Sequence, residues 1–575
     1  MKNLEIAWTL REISDLLRVK GENRFKVRAY NNAARSIKKL KEDITTLRKK
    51  EVLTEIPGIG ENIAKKIEEI LDTGRSVYLD ELREEVPPGV LSIISLPGVG
   101  PKTAGLLYEK LQFKDLSELM VLAKDGRLRD VPGIGPKTET NILKGIEKLK
   151  KNMEHVPHGL ARVSADIIFE LLSSFSLISR VSLAGSMRRG KDMVGDVDFV
   201  AASDNSHKVM EILGEHPHIR ELDIFHDNRA KAFTNLGTKI DLQIVKEDKF
   251  AAVLHRSTGS KKHFQQLSAL GNKKGINYDG NSILKNGKEI IVSDEEGIYS
   301  AFGLPYIDPE LREGAGEIEA AKNNSLPDLV DIHDLRGDLH THSTWSDGHG
   351  TIEEMVQEAV KMGYSYLAIT DHSQSLAVAN GLTVGRLMEQ WDEINYLRKK
   401  YAPFLILRGI EMDILRDCRL DYEDEILAKF DIVIASIHTG FEQNKEAITE
   451  RLITALENPY VDIIAHPTGR ILGRRPPYEV DMEKVIEKAS KLGKTLEVNS
   501  SLDRLDLNAA YVRMAKEAGV KIAINTDAHG KTGLRDMEYG VMTARRGWLE
   551  KNDVLNTLDS QELLSHLSRN RVGVR

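Results

Sequence analysis

Three aspartates and their spacing come first. The run GDVDFV at 195–200 has the look of a β-strand, so Asp196 and Asp198, two residues apart, point to one face. Asp241, in KIDLQIV, can supply a third carboxylate from a neighbouring strand. Three clustered carboxylates are costly unless cations neutralise them. Two divalent ions ~3.5–4 Å apart are the usual solution for phosphoryl transfer, and magnesium fits hard oxygen ligands. Upstream, GSMRRG at 185–190 adds Gly185 and Ser186, which can present amides and a hydroxyl to a triphosphate, and Arg189, which can neutralise it. A lone Asp-Val-Asp is most often a surface turn. Joined to the glycine-serine-arginine run and the downstream strand, it is a strong signal.

A denser set follows in the C-terminal half. It comprises His340, His342 and Asp347 in DLHTHSTWSDG, His372 in ITDHS and Glu411 in GIEMD. His438 in ASIHTG, His466 in IIAHP, and Asp527 with His529 in NTDAH complete it. Any one of these histidines alone reads as a structural core residue. Six converging with three carboxylates demand metal, because a buried cluster of bare imidazoles leaves many nitrogens unsatisfied. Mixed imidazole and carboxylate ligands suit zinc or manganese. Such a cluster clamps a phosphate, lowers the pKa of a bridging water and stabilises the leaving oxygen. Arg470, in HPTGRILGRR, either adds a cation to that phosphate or serves the surface.

A third constellation is a repeat: IPGIGENIAKKI at 56–67, LPGVGPKTAGLL at 96–107 and VPGIGPKTETNI at 131–142. Gly58, Gly60, Gly98, Gly100, Gly133 and Gly135 permit tight loops with no side chain in the way. Each loop leads into a helix N-terminus, whose free amides favour an anion, and Lys102 and Lys137 add charge. One copy is as readily a packing turn. Three copies favour phosphate contacts that ignore base sequence.

The elements that must hold these groups follow from periodicity. Residues 1–150 read as helices between Pro-Gly turns, with Leu4, Ala7, Trp8, Leu10, Ile13 and Leu17 at helical intervals. Residues 160–250 mix short strands with helices, 251–315 are turn-rich, and 320–331 have a linker's polar, proline-containing look. From Leu335 onward seven β-like runs alternate with helical patterns, which predicts a parallel (β/α) barrel. Every member of the histidine set lies at the C-terminal end of a strand, where barrels place catalytic groups.

Composition sets the outer limits. The 575 residues, 41% hydrophobic and 29% charged, suit about four soluble globular domains and exclude collagen, a rod or wholesale disorder. A single cysteine, Cys418, excludes an intrachain disulfide scaffold. No apolar run approaches the ~20 residues of a membrane span, and the N-terminus lacks a signal-peptide core. The expected compartment is the cytoplasm, in association with the nucleoid. Net charge is −7 overall, but by count about +8 over 1–50 and about −8 over 331–575. A basic front on an acidic chain is either a solvated face or a grip for a polyanion.

The hairpin repeats, GSMRRG, GDVDFV and KIDLQIV stand in the order of the family X DNA polymerases, the DNA polymerase beta group, and residues 1–315 resemble that family. The resemblance implies a multidomain fold: a helical, lyase-like domain (1–80), fingers with hairpins (81–150), an α/β nucleotidyltransferase palm (151–255) and a thumb (256–318). It implies that Asp196, Asp198 and Asp241 bind two Mg or Mn ions, that Asp241 helps activate the primer 3′-hydroxyl, and that Ser186 and Arg189 hold the incoming dNTP. By the same pattern Lys66, near Lys26 and Tyr30, is the candidate Schiff-base lysine. Asn62 stands where a supporting lysine is usual, so catalysis and simple phosphate binding both stay open for Lys66. In STGSKKHF only Thr258, Gly259 and Ser260 match the thumb pattern. Arg256 and Ser257 replace two aromatics, and Phe264 replaces a polar contact, which bears on sugar selection.

After a linker at 319–332, residues 333–575 resemble the polymerase-and-histidinol-phosphatase (PHP) family with all nine ligand positions filled. That pattern implies three Zn or Mn ions. His340, His342, Glu411 and Asp527 would hold the first, Glu411 with His438 and His466 the second, and Asp347, His372 and His529 the third. The whole chain is similar to microbial family X polymerases with a C-terminal PHP domain. They imply gap filling in base excision repair on gapped or primer-template DNA, a 3′–5′ exonuclease, and abasic-site endonuclease or 3′-phosphatase activity, in a monomer without membrane contact. Two rivals are a mainly nucleolytic repair enzyme with a weak polymerase half and a small-molecule phosphoesterase. Primer extension on gapped DNA separates the first; activity on sugar phosphates but not on DNA marks the second.

Overall fold

The computed structural model describes residues 2–38, 40, 43–73, 76–86, 99, 101–113, 116–136, 138–143, 155–234 and 238–569. The chain forms two compact units. One comprises 1–187 with 193–257, the other 188–192 with 258–575.

In the first unit the N-terminal half is helical, as its periodicity requires. Helix Lys2–Val19 buries Ile6, Leu10, Ile13 and Leu17, one apolar stripe, against helix Arg24–Lys38. In the first hairpin Gly58 takes φ +85°, a left-handed conformation that glycine adopts without penalty, and helix Glu61–Thr73 follows. Gly133 repeats this at φ +90° in the third hairpin. Helix Pro101–Leu111 follows the second hairpin, but Gly98, Gly100 and Lys137 lie outside the described residues, as does the side chain of Lys102.

The remainder of that unit is a five-stranded sheet. Its order is Arg180–Leu183, Val197–Ala202, Lys239–Val245, Arg229–Thr234, Ile219–His226. The second and third strands run parallel; the other neighbours are antiparallel. Helices His158–Ser174 and Ser206–Gly214 cover one face, packing Ile168, Leu172, Val209 and Leu213 on Val197, Phe199 and Ile240. Helix Phe250–Thr258 begins on the other face, where Phe250, Val253 and Leu254 meet Val200 and Ala202.

The second unit opens with helix Lys261–Lys273, capped by the Ser260 hydroxyl, and a small antiparallel sheet spanning Ile276 to Ile290. Phe264 packs edge-on against Tyr278 there, with ring centres 5.1 Å apart. Then come seven parallel strands in sequential order, from Gly337–Asp338 to Ile522–Asn525, and a bridge between Thr341 and Ala528 brings the first and last together. The strands are buried on both faces, as parallel barrels require, and Ile432–Ser436 is apolar on both. Ile432 and Ile434 point to the inner core, Val433 and Ala435 to the surrounding helices. Leu563 and Leu567, from helix Ser560–Arg569, join that inner core near the strand N-termini. The opposite, C-terminal ends are therefore the ones left for chemistry.

Candidate active sites

The parallel pairing of Val197–Ala202 with Lys239–Val245 sets Asp198 directly beside Asp241. Asp196, one pleat earlier, completes a group whose ligand oxygens all lie within 4.8 Å. Gly185 borders it at φ +60°, and a Cβ there would fall 1.7 Å from Asp198 Oδ2, so only glycine fits beside that carboxylate. The Ala184 amide donates to the Asp198 carbonyl at 2.8 Å, which fixes the turn that presents Gly185 and the half-buried Ser186.

The sequence did not point to Arg229. Its Nε and Nη2 donate to the two oxygens of Asp241 at 3.0 and 2.9 Å, a bidentate pair. That bond, and then the fields of Asp241, Asp198 and Asp196, raise the guanidinium above its ordinary value. One guanidinium against three carboxylates leaves the cluster net negative, which suits added cations.

Arg189 belongs to the second unit. Its Nε meets Glu313 at 2.9 Å and its Nη1 donates to the Thr258 carbonyl at 2.7 Å. Arg188 likewise reaches the Thr258 hydroxyl at 2.8 Å and Glu295. In the helical half, Lys66 Nζ sits 4.0 Å from the centre of the Tyr78 ring, and Lys26 Nζ 5.4 Å. Tyr30 stacks on the same ring and, being buried, has its phenol pushed up to about 12. Asn62 is exposed on the same helix.

All nine residues of the barrel set gather at one end, around Glu411. Its Oε1 lies 2.9 Å from His466 Nε2 and 3.2 Å from His438 Nε2. Its Oε2 lies 2.9 Å from His372 Nδ1, 3.4 Å from His340 Nε2 and 3.5 Å from His342 Nε2. Asp527 Oδ1 approaches His342 at 3.1 Å and His340 at 3.6 Å. Asp347 Oδ1 approaches His529 at 3.4 Å and His372 at 3.6 Å. Among the described residues three groups have ligand atoms within 4.8 Å: His340, His342, Glu411 and Asp527; His342, Asp347, His372 and His529; and His372, Glu411 and His438. His342 and His372 thus each stand in two groups, and His466 adjoins the third through Glu411.

The electrostatics show what this pocket wants. Burial opposes charge on Glu411, yet the His438, His372 and His340 rings hold its carboxyl well below the usual range. Burial lowers His438 and His529, but Glu411 and Asp413 lift the one to about 10, and Asp347 and Asp527 the other to about 9. Protons therefore collect where positive charge is missing. His342, buried and facing His529 and His372, falls instead to about 3. His340 Nε2, both nitrogens of His342 and Glu411 Oε2 find no hydrogen-bond partner. Buried donors and acceptors left in that state are the mark of a metal centre, and the residues present fit one.

A supporting layer escaped the sequence reading. Asp413 takes His438 Nδ1 at 3.0 Å, and Glu497 takes His340 Nδ1 at 2.7 Å and the His466 amide at 2.7 Å. Strand alternation was the available signal, since Asp413 lies two residues beyond Glu411 on the same face. Asn499 and Arg504 contact Asp527 Oδ2 at 3.0 and 3.4 Å. Arg470 is buried, with all three of its guanidinium nitrogens engaged by Arg504, Leu505 and Asp192. Neither the surface role nor the phosphate contact expected for it is what the structure gives.

Comparison with known proteins agrees with this geometry. Residues 1–76 match a helix-hairpin-helix domain, 90–148 a SAM-like helix-hairpin-helix tandem, 253–313 the DNA polymerase beta thumb and 338–501 the PHP domain. Over 574 residues the chain is 40% identical to the DNA polymerase/3′-5′ exonuclease PolX of Bacillus subtilis (strain 168), covering 99% of this chain and 100% of that one. A "Probable phosphatase" of Thermoanaerobacter sp. (strain X514) is 36% identical over 232 residues, 38% of this chain and 89% of its own. Another, from Caldanaerobacter subterraneus subsp. tengcongensis, is 36% identical over 204 residues, 33% of this chain and 75% of its own. With a relative matched from end to end, and helix-hairpin-helix, thumb and PHP regions in one order along it, the chain belongs to the PolX family, the family X DNA polymerases that carry a PHP domain.

Proposed function

We propose that this chain is a DNA repair polymerase that fills gaps in base excision repair, and that its barrel is a metal-dependent 3′–5′ exonuclease with abasic-site endonuclease or 3′-phosphatase action. One observation carries the reading: a tri-aspartate cluster and an imidazole–carboxylate cluster occur in a chain 40% identical throughout to a polymerase/3′-5′ exonuclease.

In the polymerase half, Asp196, Asp198 and Asp241 hold two Mg or Mn ions, which when bound neutralise the triphosphate and the developing charge of the transition state. Gly185 and Ser186 meet the phosphates of the dNTP, with Arg189 completing their neutralisation. Asp241, whose oxygens here accept from Arg229, is the carboxylate that would assist the primer 3′-hydroxyl. The hairpin glycines, with Lys102 and Lys137, grip backbone phosphates of gapped or primer-template DNA. Lys66, against Tyr78, contacts a 5′-phosphate or serves as a Schiff-base nucleophile.

In the barrel, the nine ligands hold three Zn or Mn ions, which when bound clamp a phosphate and supply a nucleophile from water at neutral pH. Asp413 and Glu497 fix which nitrogens of His438 and His340 face the cluster. We assign residues 1–80, 81–150, 151–255, 256–318 and 333–575 as lyase-like, fingers, palm, thumb and PHP domains, with 319–332 as connection. The chain works as a monomer in the cytoplasm, on the nucleoid; among the described residues no helix is long and apolar enough to cross a membrane.

A second reading, a mainly nucleolytic enzyme with a weak polymerase half, is favoured by the engagement of Arg189 with Glu313 and Thr258. One assay tests both: a labelled primer on gapped DNA with Mg or Mn, with and without dNTPs. Extension with dNTPs and 3′ shortening without them is the expected result. Shortening alone supports the second reading, and neither activity defeats both.

A further inference from the structure

The segment Arg188–Asp192 directly follows the glycine-serine turn of the polymerase half, yet it folds with the barrel's unit. Gly190 takes φ +69° with its Cα facing Met542, so closely that a Cβ would lie 2.3 Å from Met542 Cγ. Two residues on, Asp192 Oδ2 accepts from Arg470 Nη1 at 2.7 Å, in a pair whose side chains are 26% and 10% exposed. The other two guanidinium nitrogens of Arg470 are spent on backbone. Nε donates to the Arg504 carbonyl at 3.0 Å, and Nη2 donates to the Leu505 carbonyl. Leu505 has φ +45°, a strained conformation for a branched residue that persists only where surroundings hold it. Asp506, next in line, is fixed by Thr468, whose amide and hydroxyl donate to it at 3.0 and 2.9 Å. The outcome is the placement of Arg504, whose Nε stands 3.4 Å from Asp527 Oδ2 at the ligand cluster.

We infer that Asp192 is a positioning residue for the phosphoesterase centre, acting through Arg470 on the backbone that presents Arg504. The inference rests on the reading of the barrel as a metal-dependent phosphoesterase. Physically, Asp192 is the carboxylate that faces Arg470 and Arg546 together. Take its charge away and Arg546 keeps Glu313 and Arg470 keeps the field of buried Asp506, but Arg470 Nη1 loses its charged acceptor. Arg470 then gains by turning toward solvent, the Leu505 carbonyl loses its donor, and the strained loop relaxes. Arg504 leaves Asp527, and the centre loses the cation that stands beside that carboxylate. No ligand is removed, so metal loading stays while turnover falls.

The test uses the full chain and a small chromogenic diester, bis(p-nitrophenyl) phosphate, which does not depend on the hairpins for binding. Asp192→Asn, close in shape but uncharged, is expected to lower Mn-dependent kcat about tenfold. Bound manganese per chain and KM should stay within about twofold of the parent, which a loss of fold or of metal would not allow. Asp192→Glu, which keeps the charge, should recover most of the loss. In a background of Arg504→Gln the Asp192→Asn change should cost nothing further, because both act on one group. Parental kcat in Asp192→Asn, additive losses in the double variant, or a fall in bound manganese would each overturn the inference. A parent chain inactive on the diester and on DNA 3′ ends would overturn the phosphoesterase reading as well, so the two failures are told apart.

Discussion

At the scale of single residues, the two clusters should be separable. Asp198→Ala removes one of the three clustered carboxylates, so nucleotide addition should vanish while 3′ digestion continues. His342→Ala, which belongs to two groups in the barrel, should do the reverse. Gel assays of both variants on one primer decide it, and extension by Asp198→Ala at the parental rate would contradict the assignment. A subtler effect is expected at Asp413, which touches His438 but is not among the grouped ligands. Asp413→Ala should weaken metal binding ~10–100-fold, the usual cost of losing a carboxylate behind a ligand histidine, as titration with zinc or manganese would report. The clustered residues were legible in the sequence because imidazoles and carboxylates at strand ends have few other uses. Their supports were not: Glu497 in TLEVN and Arg229 in NRAKAF look like ordinary charged residues until the register is known. Arg504 is hidden further, since its reach to Asp527 depends on a loop conformation that no periodicity encodes.

At the scale of elements, periodicity carried far. Six of the seven β-like runs contain a strand, because an apolar run between helical patterns has few alternatives in a parallel sheet, whereas the first, DLHTHST, meets the strand Gly337–Asp338 only at Asp338. Composition served less well where packing decides. Val330, in a polar, proline-containing stretch, is fully buried in the barrel's outer core and its amide donates to the Leu549 carbonyl at 2.9 Å. Helix Met537–Arg546 shows how tight such packing is. A Cβ on Gly540 would stand 2.0 Å from Ser500 Oγ and 2.6 Å from Ile524 Cγ2. Ser500 can rotate away but Ile524 cannot, so Gly540→Ala should cost ~1–3 kcal/mol, and Ile524→Val should restore part of it. Thermal melts of the single and double variants check this, and an unchanged melt in Gly540→Ala would contradict it. The hairpins make a different prediction. Replacing Lys102 and Lys137 together by Ala should weaken gapped-DNA binding equally for unrelated sequences and flatten the salt slope by up to ~2. An effect confined to one sequence would argue for base contacts instead.

At the scale of the whole molecule, the chain passes between its two units three times, after residues 187, 192 and 257. Residues 258–575 produced alone would lack Asp192, leaving Arg470 without its ion pair and Arg546 with Glu313. That fragment should unfold at a lower temperature than the matching transition of the intact chain. The gap should widen at low ionic strength, where like charges are least screened. Calorimetry of the two proteins at two salt concentrations measures it, and coincident transitions would speak against the contribution of the five-residue insert. The insert also bears on inheritance. A crossover at 257–258 would hand on this barrel without residues 188–192, and the recipient would meet it with its own. To keep these contacts the recipient would need a glycine that clears Met542 and an acid that meets Arg470. Related genomes should therefore show position 192 changing in step with 470 and 546, a trace of shared descent for two halves that look, on a linear map, independently transferable.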